Sequence, residues 1–258
     1  MESPFLGNGT THILDRRGAF AEGEGLSLVS IICCTMRPDY MENIFGNYDR
    51  QEYKDKQLII ILNRDDMDIQ QWRAKAREYK NVKVYRVSEK YRLGKCLNYG
   101  IRKAKYDILA KFDDDDYYAP HYLAEAMEAL SNKRVSVVGK YTSFVYFEEK
   151  NALMLYRKGG EKKYRRKVKG GTLVFKRSVW EKVRFDEDRA NGCDVKFLRT
   201  CRNKRIRVYS VSRYNYVCVR RKDISTHTQK TGTKKYMRRC EMICRTRDYI
   251  PHISKNLD

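Results

Sequence analysis

The sequence predicts an α/β protein, with a mostly parallel central sheet covered by helices and a smaller second sheet beside it. Three observations carry this. Over residues 28–112, four apolar runs of six or seven residues alternate with helical stretches of nine to twelve, the pattern of βαβ units. Polar or acidic residues follow three of the four runs, so one rim of the sheet collects them. The chain has 258 residues, 41% of them hydrophobic, enough for a real core in one large domain or one domain with an appendage.

Residues 1–25 contain Gly7, Gly9, Gly18, Gly23 and Gly25 and read as an irregular leader. Leu28–Cys34, Gln57–Leu62, Val82–Val87 and Tyr106–Phe112 are expected as strands by length and β-branched content. Helices are expected over Tyr40–Tyr48, Asp68–Tyr79 and Leu93–Ala104, with right-handed crossovers. These make up a first half, residues 26–130. In residues 131–228 the strands are Val135–Val138, Tyr141–Phe147 and Leu153–Tyr156, the last two as a hairpin. Arg157–Lys169 holds eight basic residues and one acidic one, too charged for a core, so an exposed loop or lid is expected. Gly170-Gly171 leads into a strand at Thr172–Phe175 and a helix at Ser178–Val183. A helix from Asp194 and strands at Ile206–Val211 and Tyr214–Val219 follow. The tail, 229–258, reads as a basic helix, because Tyr236, Cys240, Ile243 and Cys244 fall at helical spacing. It would pack on the domain or lie on an anionic membrane surface.

The net charge of +22 is unevenly placed: residues 1–130 carry 20 basic and 21 acidic side chains, residues 131–258 carry 35 and 12. A surplus confined to one half points to an anionic partner for that half, against a merely solvated basic face. The eight cysteines show no CxxC pair and no zinc-finger spacing, so they read as reduced, mostly buried thiols. With no run long enough to span a bilayer and no signal-peptide core, a cytoplasmic protein is expected, with the inner membrane surface within reach of its basic tail.

KFDDDDYY, directly after an apolar strand, is the sharpest feature. Four adjacent carboxylates repel one another and call for a cation, and carboxylate oxygens are the ligands Mg²⁺ and Mn²⁺ prefer. An Asp-rich turn or helix cap is the bland alternative. A G-x-G-x-x-G after the first strand, a P-loop, a G-x-S-x-G elbow and an H-E-x-x-H are all absent. That disfavours dehydrogenases, P-loop kinases, serine hydrolases and zinc proteases.

The succession VSIICCTMRP, QLIIILNRDD, LGKCLNYGI, KFDDDDYY, GGTLVF and GCDVKFL resembles the family-two inverting glycosyltransferases of GT-A fold, over about residues 26–228. The resemblance implies a Rossmann-like nucleotide-sugar half (26–130), an acceptor half of the same domain (131–228), a divalent Mn²⁺ or Mg²⁺ and an acceptor hydroxyl. It also implies a place in bacterial surface or spore polysaccharide synthesis. Thr35 and Arg37 would line the nucleoside pocket. Asn63 stands where the family has a base-reading aspartate; its oxygen can accept from uracil N3–H, so UDP is expected. Arg92 and Lys95 would lie near the base or diphosphate. Asp115 is the expected metal ligand, with Asp113 nearer ribose and metal, Asp114 a lesser contributor and His227 a late ligand. Gly170, Gly171 and Arg220 would meet the acceptor, Arg221 being a comparable phosphate candidate. The family's acidic pair opening a helix reads Cys193-Asp194 here, which leaves Asp194 as the expected catalytic base. Asp186, Glu187 and Asp188 are the alternatives.

Two rivals stand beside this reading. A metal-dependent nucleotidyltransferase would use the same rim. A nucleic-acid-binding module would use the basic half and the 20 tyrosines. The second is disfavoured: the tyrosines are scattered, no nucleic-acid motif is present, and an aspartate rim repels phosphates. The expected acceptor is instead a saccharide or lipid-linked saccharide of anionic character.

Overall fold

A computed structural model describes residues 28–223 and 231–256. The first half alternates as expected: β1 (Val29–Thr35), α1 (Met41–Asp49), β2 (Lys56–Leu62), α2 (Ile69–Ala76), β3 (Val82–Arg86), α3 (Leu93–Lys103) and β4 (Ile108–Asp113). The four strands pair in parallel in the order β3-β2-β1-β4. Strand β2 is buried along its whole length because helices cover both faces, and Leu58–Leu62 are each at most 1% exposed. Burying each such side chain contributes roughly 1.5–3 kcal/mol. Helix α3 packs so closely that a Cβ on Gly100 would lie 2.7 Å from Ile32. Helix α2 starts one residue after the predicted Asp68, whose carboxylate caps it by accepting from the Gln70 and Gln71 amides.

The second half contains β5 (Tyr117–Tyr118), α4 (Tyr122–Ser131), β6 (Val137–Gly139), β7 (Ser143–Phe147), β8 (Ala152–Tyr156), β9 (Lys163–Arg165), β10 (Val174–Lys176), α5 (Arg177–Lys182), α6 (Cys193–Asn203), β11 (Val208–Ser210), β12 (Tyr216–Arg220), α7 (Thr233–Met237), β13 (Cys240–Arg245) and α8 (Ile250–Ile253). Strand β10 runs antiparallel between β4 and β6, and β11 and β9 extend the large sheet to eight strands. The smaller sheet has the order β13-β8-β7-β12-β5, with β7 and β8 forming the predicted hairpin. Strand β4 ends at Asp113 in the large sheet and β5 begins at Tyr117 in the small one. The aspartates therefore sit at the junction of the two sheets.

Two expectations are corrected. The tail is not one helix: α7 has five residues, after which β13 pairs antiparallel with β8 and forms an edge of the small sheet. The pairing available along β8 outweighs the helical spacing of the cysteines, and the membrane-lying helix goes with it. Nor is Arg157–Lys169 wholly a free loop. Its middle forms β9 against β11, with Tyr164 and Tyr209 edge to face at 5.4 Å. Leader residues 1–25 and His227 lie outside the described residues.

Candidate functional site

The rim is built by strand ends. Thr35 ends β1, Asn63 follows β2, and Asp113 ends β4. The turn after β4 is fixed from α1: Asn43 Nδ2 donates to the carbonyls of Asp114 and Asp116, and Asn47 Nδ2 to that of Asp116. Tyr118 stacks on Phe112 at 3.8 Å; its hydroxyl accepts from the Asp113 amide and donates to the Gly171 carbonyl at 2.6 Å. One side chain thus ties the aspartate turn to the diglycine turn.

The repulsion among the four carboxylates is met largely by the protein's own cations. Lys111 pairs with Asp113, Arg37 with Asp114, and Arg37 and Arg221 with Asp115 at 3.1 and 3.0 Å. Thr35 donates to Asp114 at 2.6 Å. Asp116 instead receives the Tyr216 hydroxyl and the Val219 amide. The titration behaviour follows. Burial would lift Asp115, but the two guanidiniums overcome it and hold the carboxyl below its usual range. Burial, reinforced by Asp115 and Asp113, pushes Asp116 up to about 7. Burial also raises Asp113, against the pull of Lys111. The cluster is therefore no proof of a metal by itself, which corrects the inference drawn from four charges in a row.

Gly170 and Gly171 form a tight turn ahead of β10, walled by carboxylates. A Cβ on Gly170 would collide with the Asp194 carboxylate, and one on Gly171 with that of Asp113 while lying 3.1 Å from that of Asp116. Asp194 lies in the first turn of α6, and the Cys193 thiol donates to its Oδ1 at 3.1 Å. Lys111 is only 3% exposed; burial would lower its ammonium, yet Asp113 and Asp194 raise it well above the usual lysine value. Asp113, Asp194, Lys111 and the diglycine turn thus meet in one place. Two of the three alternative bases are otherwise engaged, Asp186 accepting from the amides of Asp188 and Arg189 and Glu187 from Asn98, while Asp188 is exposed.

Other predicted residues take different places. Asn63 is buried and its Nδ2 donates to the Ser88 carbonyl. Arg92 caps α3 through its backbone and is exposed, while Lys95 sits 3.9 Å over the Tyr91 ring. Thr35 and Arg37 hold Asp114. Arg220, the expected acceptor contact, is buried, donates to the Thr231 carbonyl and lies over Tyr236. Sequence reasoning missed Lys111 and Tyr118. A lysine at an inward position of an otherwise apolar strand was the available signal for the first.

Among the described residues no three His, Cys, Asp or Glu side chains converge as a metal cage. An ion carried by a diphosphate needs only one or two protein carboxylates, the rest being phosphate and water. All three of Asp113, Asp114 and Asp115 carry an ion pair; Asp113, its side chain 35% exposed, and Asp115, 16% exposed, are the more open to such an ion, while Asp114 is 7% exposed and also receives the Thr35 hydroxyl.

Comparison with known proteins agrees with this architecture. The family model "Glycosyl transferase family 2" matches residues 30–183. The O-antigen biosynthesis glycosyltransferase WbnJ of Escherichia coli is 32% identical over 117 residues, 44% of this chain and 46% of that protein. In fold, the chain is similar to S. aureus TarS 1–349 in complex with UDP-GlcNAc (TM-score 0.56, 17% identity, covering 78% of this chain and 62% of that one). It is likewise similar to the mannosyltransferase PcManGT of Pyrobaculum calidifontis in complex with GDP-Man and Mn²⁺ (TM-score 0.56, 17% identity, covering 82% and 59%). The chain spans about half the length of the curated relative. Its mixed sheet with a smaller second sheet is the GT-A fold, and the chain belongs to glycosyl transferase family 2.

Proposed function

We propose that the protein is an inverting, metal-dependent glycosyltransferase. It moves a sugar from a nucleoside-diphosphate sugar, UDP favoured, to a hydroxyl of a saccharide acceptor with anionic character. One observation carries the reading: Asp113, from the aspartate turn, and Asp194 meet across Gly170-Gly171, where a side chain would block close approach. In this reading Asp194 Oδ2 takes the acceptor hydroxyl proton as that oxygen attacks the anomeric carbon, while the bond to the diphosphate oxygen breaks on the opposite face. Cys193 holds Oδ1, which leaves Oδ2 directed at the turn. Lys111 keeps Asp113 and Asp194 compensated while the donor sugar lies between them. Asp115 and Asp113 would hold a Mn²⁺ or Mg²⁺ ion, which would supply charge neutralisation for a departing diphosphate. The basic surplus of residues 131–258, the half that contains the diglycine turn, supports an anionic acceptor.

A thermal-shift panel of UDP, GDP, CDP and dTDP with and without Mn²⁺ tests the donor assignment. UDP with Mn²⁺ is expected to raise Tm most, since a ligand at 100 Kd adds about 2.7 kcal/mol. A larger shift with GDP would move the base assignment away from Asn63 and uridine. No shift with any of the four would overturn the proposal.

A further inference from the structure

The basic segment is two kinds of charge. Lys162, Lys163, Arg166 and Lys167 are exposed, and such charges are screened within ~8–10 Å at physiological salt. Arg157 and Lys169, at its two ends, are packed on aromatic rings. The Arg157 guanidinium lies 4.6 Å from the centre of the Tyr156 ring and 5.3 Å from that of Tyr141. The Lys169 ammonium lies 5.8 Å from the centres of both Tyr156 and Tyr236 and donates to the Tyr236 hydroxyl at 3.2 Å. The segment leaves and returns on the same ring.

Both cations are held there. Arg157 adopts a left-handed backbone, φ 55°, a conformation that persists in a non-glycine residue only where its surroundings impose it. Its carbonyl accepts from the Thr142 hydroxyl at 2.6 Å. Lys169 is fixed through its main chain, its amide donating to the Lys140 carbonyl at 2.8 Å and its carbonyl accepting from Thr172. Burial would lower its ammonium, and the Asp116 carboxylate nearby works against this. The next two residues are the diglycine turn. The two charges lie 4.6 and 5.8 Å from the centre of one ring, hence within about 10 Å of each other, and an anion reaching both would relieve their repulsion. The rings supply a weaker compensation in its absence.

We propose that Arg157 and Lys169, over Tyr156, form an anion subsite that takes a phosphate or carboxylate group of the acceptor beside the hydroxyl reacting at Gly170-Gly171. This rests on reading that turn as the acceptor site. It separates selection of the acceptor, by two ring-packed cations, from the solvated lysines that make up the bulk of the segment's charge.

The test is calorimetric titration of the full chain, at physiological ionic strength, with maltotetraose, its phosphorylated counterpart and tetragalacturonate. At least one charged probe is expected to bind about tenfold or more tighter than maltotetraose, and the two arms tell phosphate from carboxylate. Arg157→Gln and Lys169→Gln are each expected to remove that preference. The combined variant Lys162→Gln, Lys163→Gln, Arg166→Gln, Lys167→Gln is expected to change it by less than about threefold. Should Lys169→Gln fail to fold, Arg157→Gln at the hairpin end still decides. Equal binding of charged and uncharged probes overturns the subsite. So does a preference lost in the four-residue variant but kept in Arg157→Gln. A Lys169→Gln protein that keeps the preference but loses UDP affinity in Mn²⁺ would assign that lysine to the donor diphosphate instead. Failure of the wild type to bind UDP would count against the donor reading alone, because the oligosaccharide titrations contain no nucleotide.

Discussion

Lys111→Met removes the charge that pairs with Asp113 and acts on Asp194, while keeping the volume of the side chain. Lys111 has a side chain only 4% exposed, and its ammonium contacts Asp113, which is 35% exposed. Breaking a buried ion pair by deleting one partner costs about 3–5 kcal/mol, because the other charge is left unmatched. The partial exposure of Asp113 lets water screen it, so roughly 2–3 kcal/mol is the appropriate range here. For a domain of this size that corresponds to a fall in Tm of roughly 5–10 °C. The sign with pH is definite. The folded state raises the lysine above its unfolded value, so its contribution is complete at neutral pH and fades only as pH climbs through the raised value. On the acid side the deficit of the variant should shrink as the carboxylates take up protons. The assay is thermal unfolding of wild type, Lys111→Met and Lys111→Met/Asp113→Asn at pH 7, with the double variant recovering part of the loss. An unchanged or raised Tm in the single variant would refute the idea that this lysine compensates two carboxylates.

Asp194→Asn should keep UDP and metal affinity nearly unchanged while lowering transfer by about 10²-fold or more; near-normal turnover would move the base to Asp188 or elsewhere. Gly170→Ala places a methyl 2.9 Å from Asp194 Cβ and into its carboxylate, so overpacking of about 1–3 kcal/mol should appear in unfolding. Transfer should fall with it while UDP still binds, and a fully active alanine variant would contradict the geometry of the turn. With Asp116 near 7 when folded and about 3.9 when unfolded, the folded state holds the extra proton. Stability of the metal-free protein should therefore fall as pH rises from about 4 to about 7. Asp116→Asn should flatten that slope in unfolding measured across the range, and an identical slope in both proteins would contradict the assignment.

The first half was legible because periodicity and burial agree there: Leu58–Ile61 read as a doubly covered strand and are one. The rim was legible for a related reason, since residues that follow parallel strands must share an edge. The second half resisted because its strands are three to five residues long and pair across large separations. Nothing near Val174 announces that β10 slips between β4 and β6, and Cys240–Cys244 has helical spacing but a strand partner in β8. Asp113, Asp194 and the diglycine turn were found by motif. Their electrostatics were not, because Arg37 and Arg221 reach Asp115 from opposite ends of the chain and Lys111 looked like an isolated charge in a strand. Protein cations already face three of the four aspartates, and the motif alone could not place them there.

Calorimetric titration of UDP into wild type, Asp194→Asn and Asp115→Ala, each in Mn²⁺ and in chelator, bears most directly on the central claim that the aspartate turn and the diglycine turn form one nucleotide-sugar site. Wild type and Asp194→Asn are expected to bind with similar affinity in Mn²⁺ and to lose binding in chelator, with Asp115→Ala behaving as though chelated throughout. UDP binding that persists in chelator, or that survives Asp115→Ala undiminished, would contradict the account.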